Sequence, residues 1–123
     1  QFAFRYALRE PAGQIQAYLA SHFAQPLTLD GLADHFFMNK AHLCSTFREN
    51  CGVTIMTFLK TIRMRMAARL LLETSDSVQD VAAKVGYPDS AYFSRVFKST
   101  YKISPEAYRK KRPSAGNCNS THV

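Results

Sequence analysis

Apolar residues recur in this chain at three- and four-residue spacing, in runs broken by Pro, Gly and small polar residues, which is the signature of amphipathic helices. Pro11 opens a helix over about 12–24 whose stripe is Ile15, Leu19 and Phe23, and Pro26 closes that region. Thr28 is a good N-cap for a short helix facing inward through Leu29, Leu32, Ala33 and Phe36. Gly31 inside it costs ~1 kcal/mol relative to Ala, so tertiary packing is expected to hold this helix. Asn39 caps a helix over about 40–50, Gly52 allows a sharp turn, and Thr54 caps a long helix over 55–73. The long helix carries Phe58, Leu59, Ile62, Met66, Leu70 and Leu71 as apolar positions and Lys60, Arg63, Arg65 and Arg69 elsewhere. Its length is about 28 Å at the helical rise. Ser77 and Asp80 read as a capping box for 78–85, Gly86 stops that helix, and Asp89 caps another over about 90–100. Ser104-Pro105 starts a last helix reaching about residue 111. The expectation is an all-α fold of about seven helices.

The pattern also repeats about fifty residues apart. Leu29-Asp30-Gly31-Leu32-Ala33-Asp34-His35-Phe36 leads, after a break, to Leu43-Cys44-Ser45-Thr46-Phe47-Arg48. Val78-Gln79-Asp80-Val81-Ala82-Ala83-Lys84-Val85 leads likewise to Phe93-Ser94-Arg95-Val96-Phe97-Lys98. Each copy is a short helix with a buried Ala, a tight turn and a second helix, the pattern of a helix-turn-helix. The expected organisation is a linker over 1–10 from a missing N-terminal domain, a first helix-turn-helix subdomain over 11–53, and a connecting helix over 54–73. A second helix-turn-helix subdomain follows over 74–112, then a polar, turn-rich tail over 113–123, expected to be frayed.

The second helix of each copy has a core face and a free face. Phe93, Val96 and Phe97 point inward, which leaves Ala91, Ser94, Arg95 and Lys98 outward with Ser90 near the start. Small residues let such a backbone sink into a major groove. Arg95 has the fork to donate two hydrogen bonds to guanine, and Lys98 suits a phosphate. In the first copy Leu43, Thr46 and Phe47 point inward, while Ala41, Cys44, Ser45 and Arg48 point outward after Lys40. Ala41, Cys44 and Ser45 lack the reach and fork of Arg95, so less guanine readout and more shape, apolar or phosphate contact is expected.

Charge supports a polyanionic partner. The net charge is +7, from 16 Lys and Arg against 9 Asp and Glu. The excess lies entirely beyond residue 39, where the first candidate reading helix begins. The main rival is a basic helical protein-interaction module docking on the transcription machinery. Steep loss of affinity with salt favours nucleic acid over that rival. An enzyme is not expected: the chain has no phosphate-cradling glycine motif and no nucleophile with a base and an orienting partner, so catalytic residues and cofactors are both read as none. His35, His42, Cys44 and Cys51 do not match a zinc spacing, so no metal is expected. Cys44 and Cys51 are two turns apart, too far to bridge, and Cys118 lies in the tail, which fits a reducing, cytoplasmic setting. Cys44 is read as a small groove-facing side chain rather than an oxidation sensor. No apolar run approaches the ~20 residues that span a membrane. The start at Gln1 rather than Met suggests a fragment of something longer.

The chain resembles the DNA-binding domain of the AraC/XylS family of bacterial transcription regulators. The likeness runs over about residues 14–112 and is most specific in Asp80-Val81-Ala82, the stretch from Val85-Gly86-Tyr87-Pro88-Asp89 to Phe97-Lys98, Ser104-Pro105 and Tyr108-Arg109. Arg63, Ala67 or Ala68, and Leu70-Leu71 also match. The resemblance implies two helix-turn-helix units joined by a long helix, a promoter target of double-stranded DNA, and a separate effector-sensing or dimerising domain. An activator role is expected from it, with RNA polymerase as a further expected partner, this fragment monomeric and the intact protein dimeric through the missing domain. Carried onto this chain, the base-facing positions are Lys40, Ala41, Cys44 and Ser45, then Ser90, Ala91, Ser94 and Arg95. Asn39, Arg48, Lys60 and Lys98 are the phosphate candidates, while Arg63 suits either a phosphate or a tie between connector and lobe. The chain departs from the family pattern at Phe37 and Lys102, where Gly is frequent, and at Ile55, where Pro is frequent. If the turn at Phe37 needs positive φ, that side chain is strained.

Overall fold

A computed structural model describes residues 11–111; the expected linker and tail, and Cys118 with them, lie outside the described residues. Seven helices follow one another there: α1 (Pro11–His22), α2 (Leu29–His35), α3 (Lys40–Cys51), α4 (Ile55–Glu73), α5 (Val78–Lys84), α6 (Ser90–Tyr101) and α7 (Pro105–Arg109). The starts agree with the caps named above. Thr28, Asn39, Ser77, Asp89 and Ser104 each accept a backbone N–H from the turn they open. Thr54 Oγ1 likewise accepts from Thr57 N–H at 3.1 Å. The ends differ by a residue or two: α1 stops at His22, α3 continues to Cys51, α6 to Tyr101, and α7 stops at Arg109. Gly31 has a local reason to be Gly: a Cβ there would lie 3.0 Å from Thr28 Oγ1, the atom that caps α2.

The chain forms two compact units that divide between Arg63 and Met64, inside α4. In the first unit α3 packs on α1 and α2. Its buried centre is Ile15, Leu19, Leu32, Ala33, Leu43, Phe47, Ile55 and Leu59. The Phe47 and Phe58 rings meet edge to face at 5.5 Å. Tyr18 ties α1 to α2, its ring stacked on His22 at 4.1 Å and tilted against His35 at 4.3 Å. The alternative left open for Arg63 resolves toward the lobe. Its Nε donates to the Phe23 carbonyl at 2.7 Å and its Nη2 to the Gln25 carbonyl at 2.9 Å, so the guanidinium closes the chain just past the end of α1.

The second unit repeats this arrangement. Met64, Ala67, Ala68 and Leu71 of α4 are buried, as are Val81, Ala82, Val85, Tyr87, Phe93 and Phe97. Phe97 meets Tyr108 edge to face at 5.3 Å, matching Phe47 against Phe58 fifty positions earlier. Arg109 reaches back to the end of α4, with Nε on the Leu71 carbonyl at 3.0 Å and Nη2 on the Thr74 carbonyl at 3.4 Å. Tyr101 donates its hydroxyl to the Met64 carbonyl at 3.3 Å, and burial pushes this phenol above its ordinary pKa. Lys84 donates to the Asp76 carboxylate at 2.6 Å, which holds that acid below its usual range. The long helix buries two sets of residues: Ile55 and Leu59 serve the first unit, whereas Met64, Ala67, Ala68 and Leu71 serve the second, and of the apolar positions named from sequence Met66 and Leu70 are partly buried.

The two helix-turn-helix turns are superimposable in their hydrogen bonds. Phe37 N–H donates to Asp34 O and Met38 N–H to Ala33 O; Gly86 N–H donates to Ala83 O and Tyr87 N–H to Ala82 O. The middle residue must be left-handed in both, with φ 56° at Phe37 and 101° at Gly86. Lys102 stands in the same relation to Gly52: both end a reading helix with positive φ, at 73° and 80°. A non-Gly residue in this region costs ~1–2 kcal/mol, offset by the ~0.5–1 kcal/mol entropic cost of Gly. Phe37 is 95% exposed, so its ring contributes little packing to set against that strain. Phe37→Gly is therefore expected to raise stability by up to ~1 kcal/mol. Urea denaturation checks it, and a lower midpoint with an unchanged slope would show that the ring is anchored.

Candidate nucleic-acid interface

The N-caps decide where each candidate face begins. Asn39 Oδ1 accepts from His42 N–H at 2.7 Å, and Asp89 Oδ1 accepts from Ala91 N–H at 3.0 Å and Tyr92 N–H at 3.2 Å. From there, Leu43 and Phe47 in α3, and Phe93 and Phe97 in α6, are wholly buried. These anchors fix the rotation of each helix, and the order of buried, half-buried and exposed positions over 41–50 is repeated residue for residue over 91–100. Ala41, Ser45 and Arg48 are exposed with Cys44 half-buried; Ala91, Arg95 and Lys98 are exposed with Ser94 half-buried. The faces inferred from spacing are thus the solvent-facing sides of two equivalent helices, each presented by its own unit. Thr46 and Val96, assigned inward, are half-buried.

In the second unit the face carries one long fork. The Arg95 guanidinium lies over the Tyr92 ring, 5.6 Å from its centroid. At an exposed site such a contact is worth ~0.5–1 kcal/mol and restricts the side chain to the helix surface. Tyr92 is itself held beside Tyr87, with ring centroids 5.9 Å apart. Ser90 stands half-buried at the first position of α6, and Lys98 follows Arg95 by one turn.

The first unit presents a different surface. Ala41, Cys44, Ser45 and Arg48 line an open cleft of about 360 Å³ together with Leu29 and with Thr54, Ile55 and Met56 around the start of α4. Lys40 lies at the start of α3, paired with Asp30 at 3.4 Å. Both groups of that pair are largely exposed, so the pairing is weak and an incoming phosphate can compete for the ammonium. Asn39 commits its side-chain oxygen to the cap, leaving its amide nitrogen as the donor for any phosphate contact. Lys60 is exposed on α4 and does not line the cleft.

Two residues of these surfaces were not singled out from sequence. Tyr92 carried a usable signal, since an aromatic three positions before an Arg on a helix can stack with it. Met56 carried none: its neighbour Ile55 is 2% exposed and Met56 itself 45%, a distinction that depends on how α4 leaves the turn. Among the described residues no three of His, Cys, Asp and Glu are placed to hold a metal ion, and no helix is long and apolar enough to cross a membrane. Cys44 and Cys51 are free thiols, and Gln16 Nε2 donates to Cys51 Sγ at 2.7 Å.

Comparison with known proteins places this geometry. Residues 32–111 match the family model of a helix-turn-helix domain. The sequence is 32% identical over 99 residues to the HTH-type transcriptional activator RhaS of Enterobacter sp. (strain 638), an alignment covering 80% of this chain and 36% of RhaS. The chain therefore spans about a third of that relative's length. Its fold is similar to the C-terminal domain of AraT, a response regulator from Geobacillus stearothermophilus, with TM-score 0.83, 31% identity and coverage of 91% of this chain and 93% of that one. It is similar as well to the DNA-binding domain of AdpA, a global transcriptional factor solved in complex with a target DNA, with TM-score 0.78, 26% identity and coverage of 83% and 92%.

Proposed function

This chain belongs to the AraC/XylS-type family of helix-turn-helix transcription regulators, and on that premise we propose that it binds double-stranded promoter DNA in a sequence-specific manner. In this reading each unit inserts its reading helix, α3 or α6, into the major groove, and the two segments are successive along one duplex. The observation that carries it is the repeated face: the same order of burial on both helices, small residues at the start, and Arg48 or Lys98 one turn beyond the centre. A surface that is small and basic at the same place in two folded copies is what close approach to a phosphate-lined groove requires. Lys40, Ala41, Cys44 and Ser45 then face bases in the first segment, and Ser90, Ala91, Ser94 and Arg95 in the second. Asn39, Arg48, Lys60 and Lys98 are assigned to phosphates. An activating role in the cytoplasm, contact with RNA polymerase and dimerisation through a further domain belong to the same proposal; the activating role is supported by the likeness to the activator RhaS, 36% of whose length this chain matches.

Selection from random duplexes tests it directly. The expected product is a motif of two short blocks about one helical turn apart, ~34 Å between centres. A single block would mean that one unit alone reads bases, and no enrichment would end the proposal. Lys98→Ala separates phosphate from base contact. It is expected to weaken binding to preferred and scrambled duplexes alike and to flatten the log–log salt dependence by ~1. An unchanged salt slope would remove Lys98 from the phosphate set.

A further inference from the structure

The two units do not present the same chemistry, and the difference is concentrated at two positions. Residues fifty apart correspond: Cys44 to Ser94, Ser45 to Arg95, Thr54 to Ser104, Ile55 to Pro105 and Met56 to Glu106. The correspondence is structural as well, since Thr54 and Ser104 each cap their helix through a side-chain oxygen and Ile55 and Pro105 are both buried. Where the second unit has a long cation and an acid, the first has a short hydroxyl and a half-exposed thioether. The short Ser45 leaves room beside α3, and the cleft of about 360 Å³ opens there. Met56, 45% exposed, lines it together with Cys44 and Ala41. Arg48 lies at the same cleft and marks it as a surface for a polyanion rather than for an apolar protein face.

A major groove offers such a surface one apolar element, the 5-methyl group of thymine. We propose that the first unit reads thymine: Met56, Cys44 and Ala41 close over the methyl groups of a thymine run while Arg48 holds a neighbouring phosphate. The cleft is larger than one methyl, which suits consecutive thymines, and the unbranched Met side chain can shift to follow them. The inference rests on the DNA-binding proposal and adds to it what the first block contains. It also makes the units complementary, with guanine read by the fork of Arg95 and thymine by an apolar cleft.

The test uses the duplex recovered by selection, with thymines of one block at a time replaced by deoxyuridine, which removes the methyl and keeps every hydrogen-bonding edge. The first unit's block is the one whose preference survives in Arg95→Ala. At fixed salt the wild-type chain is expected to lose about fourfold in affinity for each buried methyl removed from that block. Met56→Ser is expected to bind the thymine and deoxyuridine duplexes equally, with little change in the circular dichroism melt because the side chain is half-exposed and outside the buried core. Equal wild-type binding to both duplexes, or a full thymine preference retained by Met56→Ser, overturns the proposal. A chain that prefers no duplex over a scrambled one fails at the earlier step, and the DNA-binding reading falls with this one.

Discussion

Arg95→Ala is expected to weaken binding to the preferred duplex by about 10- to 100-fold, ~1–3 kcal/mol, while leaving scrambled duplexes nearly unchanged. The asymmetry follows from what the side chain is and where it sits. A guanidinium presents two parallel donors that match the O6 and N7 acceptors of guanine, and no other base pair offers that pair of acceptors in the major groove. Arg95 is exposed on the face that α6 turns away from Phe93 and Phe97, so its removal leaves the core intact. Stacked on Tyr92, the guanidinium is partly ordered before any partner arrives, which reduces the entropy lost on contact. Binding to preferred and scrambled duplexes, measured at one salt concentration, decides the matter. Equal losses on both would make Arg95 a phosphate ligand. Arg95→Lys is the sharper control, because it retains the charge and loses the fork.

Phe97→Ala is expected to destabilise the second unit by ~3–5 kcal/mol. The ring is wholly buried and touches three others: Phe93 at 5.8 Å, Tyr101 at 4.6 Å and Tyr108 at 5.3 Å. Removing it deletes apolar burial and leaves a cavity that aromatic neighbours, held by their own contacts, fill poorly. Tyr101 is fixed by its bond to the Met64 carbonyl, and α7 is pinned by Arg109 on the Leu71 and Thr74 carbonyls. A loss of this size is a large fraction of the ~5–15 kcal/mol that stabilises a typical domain. Urea denaturation followed by tyrosine fluorescence measures it. A change below ~1 kcal/mol would mean that the site collapses around the gap, and the ring cluster would not be what orients α6.

The elements and the faces were legible in the sequence because local rules govern them. A Ser, Thr, Asn or Asp before an apolar run satisfies N–H groups that the helix itself cannot, so the cap positions named the starts. Leu43 and Phe47, or Phe93 and Phe97, four residues apart, fix which side of a short helix is buried, and the opposite side follows. Even the strain at Phe37 could be foreseen, because the turn demands a left-handed residue and Phe stands where the family often has Gly.

Other features depended on which distant segments meet, and no local period encodes that. Met66 was among the apolar positions named for α4 and Met64 was not, yet Met64 is the buried one, because the helix serves two units and each takes its own set of residues. Arg63 is near in sequence to Lys60, but its guanidinium is bound to carbonyls about forty residues earlier, which makes it a structural tie. Cys44, Ser45 and Met56 become a cleft only when the turn at Gly52, with φ 80°, brings the start of α4 beside α3. Sequence alone therefore determined the helices, their caps and the repeated polar faces, since hydrogen-bond satisfaction within a turn and burial along one stripe are near-neighbour effects. Tertiary structure alone decided which arginines are clamps, which methionine is core and where the apolar cleft opens, since those depend on close packing between segments far apart in the chain.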